Sequence, residues 1–206
     1  MNYTSLALFC GSSSGNNPHF IEVAKQFGQL CADKSLTLYY GGASIGIMGA
    51  AANAALAHHG KVIGIAPDFF TEGEVLATNL TEMILVKSMS ERKQLMEQKA
   101  DAFVIFPGAY GTMDELFEII TDCQLGLHHK PVVLFNPEGY YDHLIAQLER
   151  FSQDGFLRTF HKDLLLKANT LTDLFDKLNH YQNTNNQNWL SKIKKPSTPS
   201  QIEEPK

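Results

Sequence analysis

The chain is poor in cysteine and in positive charge, and it contains no apolar run of membrane-spanning length. Its three cysteines, Cys10, Cys31 and Cys123, are widely spaced and form no CxxC pair, which argues against a zinc site or a disulfide framework and favours a reducing cytosol. The net charge of -5 gives no general attraction to nucleic acid or to an anionic membrane. The N-terminus has no basic segment, and the apolar run 6–10 is too short for a signal peptide core. These absences predict a cytoplasmic protein without a nucleic-acid or membrane partner.

Several motifs of common enzyme classes are also missing. The sequence contains no GxSxG nucleophile elbow, no GxxxxGK[ST] phosphate loop and no HExxH metal motif. The eight histidines include His58-His59 and His128-His129, but neither pair has carboxylate neighbours in a ligand pattern. We therefore predict no metal site and place these histidines at the surface or at helix ends. The dinucleotide fingerprint GxGxxG is absent as well, which disfavours a nicotinamide-dependent dehydrogenase.

Short apolar segments alternate with segments of helical periodicity along most of the chain. A length of 206 residues with 44% hydrophobic residues is enough for one domain with a sizeable core. Continuous apolar strands that alternate with helices predict a parallel sheet covered by helices on both faces, which is a doubly wound α/β fold of the Rossmann type. The predicted strands are 5–10, 36–40, 61–66, 83–86, 102–106, 131–135 and 164–167, and the predicted helices are 18–33, 46–59, 91–99, one ending near 125, 140–153 and 171–181.

The composition changes near residue 183. From there on, Asn, Gln, Pro, Ser and Lys dominate, and Trp189 is the single aromatic residue. A segment this polar cannot bury enough apolar surface to offset the entropy of ordering. We predict that residues 1–182 form a single domain and that residues 183–206 are a disordered tail.

Three loops at one edge of the predicted sheet are candidates for a ligand site. In open parallel sheets, ligands bind beyond the carboxyl ends of the strands, and the loops there are 11–15, 41–49 and 107–112. Tight turns alone could explain the glycines and serines of any one loop, but three such loops at one edge favour ligand binding. The third loop opens a helix, whose free N–H groups and positive dipole end suit a phosphate.

The helix after the third loop carries a carboxylate close to its start. Helical geometry groups Glu115 with Glu118 and Asp122 on one face. A solvated acidic face explains Asp122 fully, but Glu115 lies nearest the loop and is a candidate functional residue. The opposite, apolar face is predicted to consist of Leu116, Phe117, Ile119, Ile120 and Cys123.

Arg92 and Lys93 are two cations in the first turn of another predicted helix, where they oppose the helix dipole. Ser88 and Glu91 have the spacing of a capping box at this helix start. A residue that opposes such a local preference without an evident gain in stability often belongs to a functional site. The alternative is that both cations extend into water, with Lys93 pairing to Glu97 four residues on.

Three segments, in order, resemble the LOG family of cytokinin riboside 5'-monophosphate phosphoribohydrolases, many of whose members are labelled lysine decarboxylases. Residues 41–49 (GGASIGIMG) are similar to the family pattern GGGxxGLMG, 89–93 (MSERK) to MHxRK, and 107–115 (PGAYGTMDE) to PGGxGTxxE. The segment that begins at Cys10 is similar to the first loop of the family. The resemblance covers about residues 5–160.

This resemblance implies a Rossmann-like homodimer in which residues 1–182 form the nucleotide-binding catalytic domain. It implies hydrolysis of the N-glycosidic bond of N6-modified adenosine 5'-monophosphates, which releases a free base (cytokinin or adenine) and ribose 5-phosphate without a cofactor. It assigns catalysis to Arg92 and Glu115. The positions that match the family's phosphate-binding loop are Gly108, Ala109, Tyr110, Gly111 and Thr112, and further substrate-binding positions are Gly11, Ser12, Ser13, Gly42, Met89 and Lys93.

The chain departs from the family patterns at four positions. Ala109 replaces a glycine, which requires a negative φ there. Ala43 replaces another glycine, Ser90 replaces the usual histidine, and Asp122 replaces a tryptophan. Because the catalytic positions are kept, these changes bear on substrate preference and affinity rather than on the reaction class.

The expected chemistry leaves two points open. Glycoside cleavage passes through an oxocarbenium-like state. The carboxylate of Glu115 could stabilise the positive charge of this state, or it could activate the water molecule that attacks the sugar. Arg92 could hold the phosphate, or it could orient Glu115 through a charged pair. The alternative function is a non-catalytic nucleotide-binding or carrier protein on the same fold. A pyridoxal-dependent decarboxylase would need a suitably placed lysine, and the sequence shows no such site.

Overall fold

The computed structural model describes residues 3–73 and 76–182. Within these ranges, seven parallel strands form one sheet in the order β4-β3-β2-β1-β5-β6-β7. Helices cover both faces of the sheet, so the predicted doubly wound α/β fold is confirmed. The strands are β1 (Ser5–Phe9), β2 (Thr37–Tyr40), β3 (Val62–Pro67), β4 (Glu82–Val86), β5 (Ala102–Ile105), β6 (Val132–Phe135) and β7 (Leu165–Ala168).

The helices alternate with the strands as the sequence pattern indicates. Two short 3-10 segments and a four-residue helix near residue 160 were not predicted, because each is too short to show a helical period. The helices are α1 (His19–Asp33), α2 (Gly46–Ala57), α3 (Met89–Lys99), α4 (Tyr110–Leu125), α5 (Asp142–Gln153), α6 (Thr159–Lys162) and α7 (Leu171–Asn179), and the 3-10 segments are Asp68–Gly73 and Pro137–Gly139.

Two apolar layers lie on opposite faces of the sheet. Leu6 and Leu8 of β1 pack with α1, α2 and α7, while Phe9 packs with α3, α4 and α5 on the other face. This alternation follows from the two-residue period of a strand. Burying a large apolar side chain contributes roughly 1.5–3 kcal/mol, so both layers stabilise the sheet.

The central strand β1 lies where the chain changes direction across the sheet. It pairs with β2 on one side and with β5 on the other. Asp101, just before β5, accepts hydrogen bonds from the backbone N–H groups of Thr4 and Ser5, at 2.8 and 3.1 Å, and so joins the starts of the two strands. The loops that follow β1 and β5 therefore open at a topological switch point, where such folds bind their ligands.

The start of α3 shows the predicted cap in a modified form. Ser88 is the N-cap, and its hydroxyl accepts a hydrogen bond from the Glu91 N–H at 3.1 Å. The Glu91 carboxylate reaches back to the Lys87 N–H at 2.7 Å rather than to the N–H of the cap itself. The helix begins at Met89, two residues earlier than predicted, because the cap lies at Ser88.

Two predictions of side-chain exposure are wrong. His128 is buried, and its Nε2 lies 2.8 Å from the Ile119 carbonyl oxygen. Burial lowers the pKa of this ring. Phe117, predicted on the apolar face of α4, is exposed, whereas His58 and His59 lie exposed at the end of α2 as predicted.

The predicted tail, residues 183–206 with Trp189, lies outside the described residues, so the division of the chain at residue 182 stays a prediction. Within the ranges that the structure describes, no helix has both the length and the apolar character to cross a membrane.

Candidate active site

A cavity of about 500 Å³ opens at the carboxyl ends of the central strands. This volume lies within the usual range for small-molecule sites. All three predicted loops contribute to its wall, which includes Gly11, Ser12, Ser13 and Gly15 from the first, Gly41, Ala43, Ile47 and Met48 from the second, and Pro107, Gly108, Ala109, Gly111 and Thr112 from the third.

The third loop forms a helix N-terminus that faces this cavity. α4 begins at Tyr110 after Ala109. The φ of Ala109 is -114°, and this negative value is what the replacement of a glycine by alanine requires. The first N–H groups of a helix have no partner within the helix, so they are available to an anion. The Gly11 N–H donates to the Pro107 carbonyl at 2.9 Å, which ties the third loop to the first.

Gly108 is a residue that the local packing requires. A Cβ atom at this position would lie 2.0 Å from Thr112 Oγ1 and 2.9 Å from the Gly11 backbone nitrogen. Both distances are shorter than real contacts, so a side chain here would displace the loop. The close approach of the first loop to the start of α4 therefore depends on a missing Cβ.

A buried ion pair lies in the wall of the cavity. Arg92 of α3 and Glu115 of α4 meet with Nη2 and Oε1 2.8 Å apart, and their side chains are only 6% and 4% exposed. Arg92 Nε also donates to the Ile65 carbonyl at 3.2 Å. The alternative that Arg92 extends into water is wrong, because β3 and Glu115 hold its guanidinium inside.

The electrostatics of the pair are set by burial. Loss of solvation raises the pKa of Glu115 to about 7, although the Arg92 guanidinium acts in the opposite direction. The same burial, with the nearby Glu115 carboxylate, raises the pKa of the Cys10 thiol on the cavity wall. A carboxyl group that titrates near neutrality in a cavity is typical of acid–base sites.

Lys93 lies beside Arg92 in the chain but is arranged differently. Its ammonium donates to Asp114 Oδ2 at 2.8 Å and also to Glu118, rather than to Glu97. Lys93 is not among the described residues that line the cavity, and neither are Gly42 and Tyr110. Their roles in substrate binding stay predictions, whereas Met89, Ser12 and Ser13 do lie on the wall.

Most of the apolar part of the wall has no recognisable signal in the sequence. It is formed where distant segments return to the cavity, notably the connection after β3, in which Leu76 bridges to Ala43. Contacts of this kind leave no periodic pattern in the sequence. The adjacent aromatic residues at 69 and 70, outside any predicted strand or helix, were the available signal. The residues missed are Phe20, Phe70, Leu76 and Tyr140.

These features define the class of protein. A doubly wound fold carries, at its switch point, a helix N-terminus suited to a phosphate, a buried carboxylate one turn further on, and an apolar wall. These are features that suit a small organic phosphate with an apolar portion.

Sequence comparison gives the family. The family model described as possible lysine decarboxylase matches residues 48–178. A probable cytokinin riboside 5'-monophosphate phosphoribohydrolase of Oryza sativa subsp. japonica, LOGL9, is 40% identical over 87% of this chain and 79% of its own length. The cytokinin riboside 5'-monophosphate phosphoribohydrolase LOG7 of Arabidopsis thaliana is 37% identical over 87% of this chain and 83% of its own. The chain belongs to the LOG family, which confirms the resemblance.

Solved structures confirm the fold. The molybdenum cofactor binding protein of Rippkaea orientalis superimposes with a TM-score of 0.66 at 21% identity, covering 87% of this chain and 97% of its own. The Moco carrier protein of Chlamydomonas reinhardtii gives a TM-score of 0.62 at 17% identity, covering 85% of this chain and 94% of its own. At such identities the likeness concerns architecture alone.

The description "possible lysine decarboxylase" is not reflected in the cavity. Pyridoxal-dependent decarboxylation uses a lysine that forms a Schiff base with the cofactor. None of the described residues that line the cavity is a lysine. The side chains present fit the handling of a phosphate and a developing positive charge better.

Proposed function

We propose that this protein is a hydrolase of the N-glycosidic bond of adenosine 5'-monophosphates, including N6-modified ones, and that it releases the free base and ribose 5-phosphate. The observation that carries the proposal is the buried Arg92–Glu115 pair, 2.8 Å apart, beside the loop at the start of α4. The relatives are named for the same reaction, which supports the proposal.

The substrate phosphate binds at the backbone N–H groups of residues 108–112, where the dipole of α4 favours negative charge. The serines of the first loop line the cavity close to this point, since Gly11 is bonded to Pro107. The purine and its N6 substituent occupy the apolar part of the cavity, lined by Met48, Phe70 and Leu76. Fixing the phosphate places the anomeric carbon near Glu115, so remote binding energy orients the reacting centre.

Glu115 is the group that acts on the reacting centre. As the bond between C1' and the base nitrogen breaks, positive charge develops on the sugar, and a nearby carboxylate stabilises it. Water adds its hydroxyl group to C1'. Glu115 acts as the general base that takes the proton lost by this water, and the proton is finally transferred to the departing nucleobase.

Arg92 positions Glu115 rather than holding the phosphate. Its Nε is engaged by Ile65 and its Nη2 by Glu115. A Cβ on Gly41 would lie 2.5 Å from Nη2, so the second loop packs directly against the guanidinium. These contacts support the orienting role of the two that the sequence left open.

The second candidate is a carrier that binds a nucleotide without turnover. The fold is shared with a molybdenum cofactor binding protein and with a Moco carrier protein. Incubation with AMP and N6-isopentenyl-AMP, followed by chromatography for free base, separates the two candidates. Release of base selects the hydrolase, and tight binding without release selects the carrier.

The phosphate anchor should make AMP a far better substrate than adenosine. We expect kcat/KM for adenosine to be lower by roughly 10²-fold or more, because the interactions of the 5'-phosphate with the α4 N-terminus also hold the transition state. Parallel initial-rate measurements of adenine release from AMP and adenosine test this. Comparable kcat/KM for the two substrates would contradict the anchor.

The pH dependence should report the titration of Glu115. Its pKa is raised to about 7 and the carboxylate is the active form, so kcat/KM for AMP should fall about tenfold per pH unit below neutrality and level off above it. Profiles between pH 5 and 9 measure this. Glu149→Gln is the control, because Glu149 pairs with Lys162 and Lys167 away from the cavity and should leave the profile unchanged. A flat profile across pH 7 would rule out the proposed titration.

The proposal also includes a homodimer in the cytoplasm. The family resemblance supports the dimer, as do exposed apolar side chains at Phe117, Leu127 and Phe156. Sedimentation of the full chain measures the oligomeric state.

A further inference from the structure

Two consecutive tyrosines of the loop after β6 donate hydrogen bonds to the loop that precedes α4. Tyr141 Oη donates to the Phe106 carbonyl and Tyr140 Oη to the Gly108 carbonyl, each at 2.7 Å. We propose that Tyr140 is a positioning residue, which fixes the peptide unit between Gly108 and Ala109 so that the loop is pre-formed for the substrate phosphate. This inference rests on the proposed function, because it concerns the same phosphate.

The two hydroxyls complete a set of three held carbonyls. The carbonyl of Phe106 is bonded by Tyr141, that of Pro107 by the Gly11 N–H, and that of Gly108 by Tyr140. A peptide unit is planar, so fixing a carbonyl also fixes the direction of the next N–H. Pro107 has no N–H, and the Pro107 carbonyl therefore sets the first N–H of the loop, that of Gly108.

The bond from Tyr140 accordingly sets the direction of the second N–H, that of Ala109. Ala109 precedes the first turn of α4, whose first N–H groups have no partner within the helix and suit an anion. Its φ and ψ of -114° and -140° are not helical, so the helix itself does not fix this peptide unit. Tyr140 supplies from outside the constraint that the helix does not provide.

The loop that carries the tyrosines is itself held in an unusual conformation. Glu138 and Gly139 have φ of 55° and 68°, and for Glu138 this left-handed conformation is strained. The buried side chain of Asn136 maintains it, since its Oδ1 accepts from the Tyr141 N–H and its Nδ2 donates to Asp142 Oδ1 at 2.8 Å. Strain that neighbouring groups maintain is commonly found where a residue must be placed for function.

The two tyrosines differ in exposure, which separates their roles. Tyr141 is only 4% exposed and belongs to the core, whereas Tyr140 is 43% exposed and lines the cavity. The Tyr140 ring also meets Phe20 edge-on, with ring centroids 5.5 Å apart, on the same wall. Loss of the Tyr140 hydroxyl alone therefore leaves the core intact and removes one bond from the phosphate loop.

The test is Tyr140→Phe, which keeps the ring and removes the hydroxyl. We expect the affinities for AMP and for ribose 5-phosphate, measured by calorimetry, to weaken about tenfold, which is the effect of one well-placed hydrogen bond. Affinity for adenosine, measured by NMR titration, should stay unchanged, as should the melting temperature. Tyr181→Phe is the matched control, because Tyr181 follows α7 and does not line the cavity.

Three results would overturn the inference. AMP affinity within twofold of the wild type would show that the hydroxyl does not set the loop, and equal losses for AMP and adenosine would show a general structural role. A wild-type protein that binds no AMP would overturn both this inference and the proposed function. AMP binding without release of base would overturn the hydrolysis alone, and the affinities of Tyr140→Phe would still decide the role of Tyr140.

Discussion

Glu115→Gln is expected to lower kcat for AMP by about 10²-fold or more while AMP still binds. The amide keeps the size and some hydrogen bonding of the side chain but removes the charge that stabilises the oxocarbenium-like state and accepts a proton from water. Steady-state kinetics and calorimetric AMP binding measure the two effects separately. The matched control is Glu118→Gln, one turn further along α4, where the carboxylate pairs with Lys93 outside the cavity. Near-normal turnover by Glu115→Gln would remove Glu115 from the mechanism.

The loss of activity in Arg92→Ala should depend on whether Glu115 is present. Arg92→Ala leaves the Glu115 carboxylate buried without its partner, so its orientation is lost and its pKa rises further. Because the two residues act as a unit, the losses in the double variant should not add. Thermal melts of all three variants are needed, since an unpaired buried charge can cost about 3–5 kcal/mol of stability. Additive losses would indicate that Arg92 acts on the substrate independently.

Gly108→Ala is expected to lower kcat/KM for AMP by about 10²-fold. The new methyl group would lie 2.0 Å from Thr112 Oγ1 and 2.9 Å from the Gly11 nitrogen, so the loop must move away from β1 and from its phosphate-binding position. A displacement of about 1 Å at a positioning element is enough for such a loss. The melting temperature should fall as well.

Gly111→Ala is the matched change for stability. A Cβ at Gly111 meets no atom within 4 Å, and alanine is the better helix former, so this variant should melt at or above the wild-type temperature although it alters the same loop. A Gly108→Ala protein with wild-type kcat/KM would show that the close approach of the two loops is not required for binding the phosphate.

The sequence was informative where the physical signal is local. Buried parallel strands appear as continuous apolar runs, so the succession of strands and helices along the chain and the three loops at the strand ends could be predicted. Arg92 could be predicted as functional because a cation in the first turn opposes the helix dipole. Glu115 could be predicted as functional because it follows the loop by one turn.

The remaining features depend on contacts between distant segments. Arg92 and Glu115 belong to different helices, and only the packing of α3 and α4 on one face of the sheet brings them to 2.8 Å. Glu115 shares the buried side of α4 with Leu116 and Ile119, while Phe117 faces outward, so the predicted division of this helix into an acidic and an apolar face is wrong for Glu115 and Phe117. The isolated β-bridge between Leu76 and Ala43 joins distant segments, and no periodic pattern in the sequence predicts it.

The pairing of β1 with β5 also governs how the molecule is assembled. The groups that join the starts of these strands, Thr4 and Asp101, are 97 positions apart in the chain. A growing chain has made β1 to β4 long before β5 exists, and until then one edge of the central strand is open to wrong partners. Glu115 and the phosphate loop come still later. Closure of the sheet and completion of the site therefore both require β5 and the loop after it, and a ligand that bridges the loops after β1 and β5 stabilises a pairing between segments far apart in the chain.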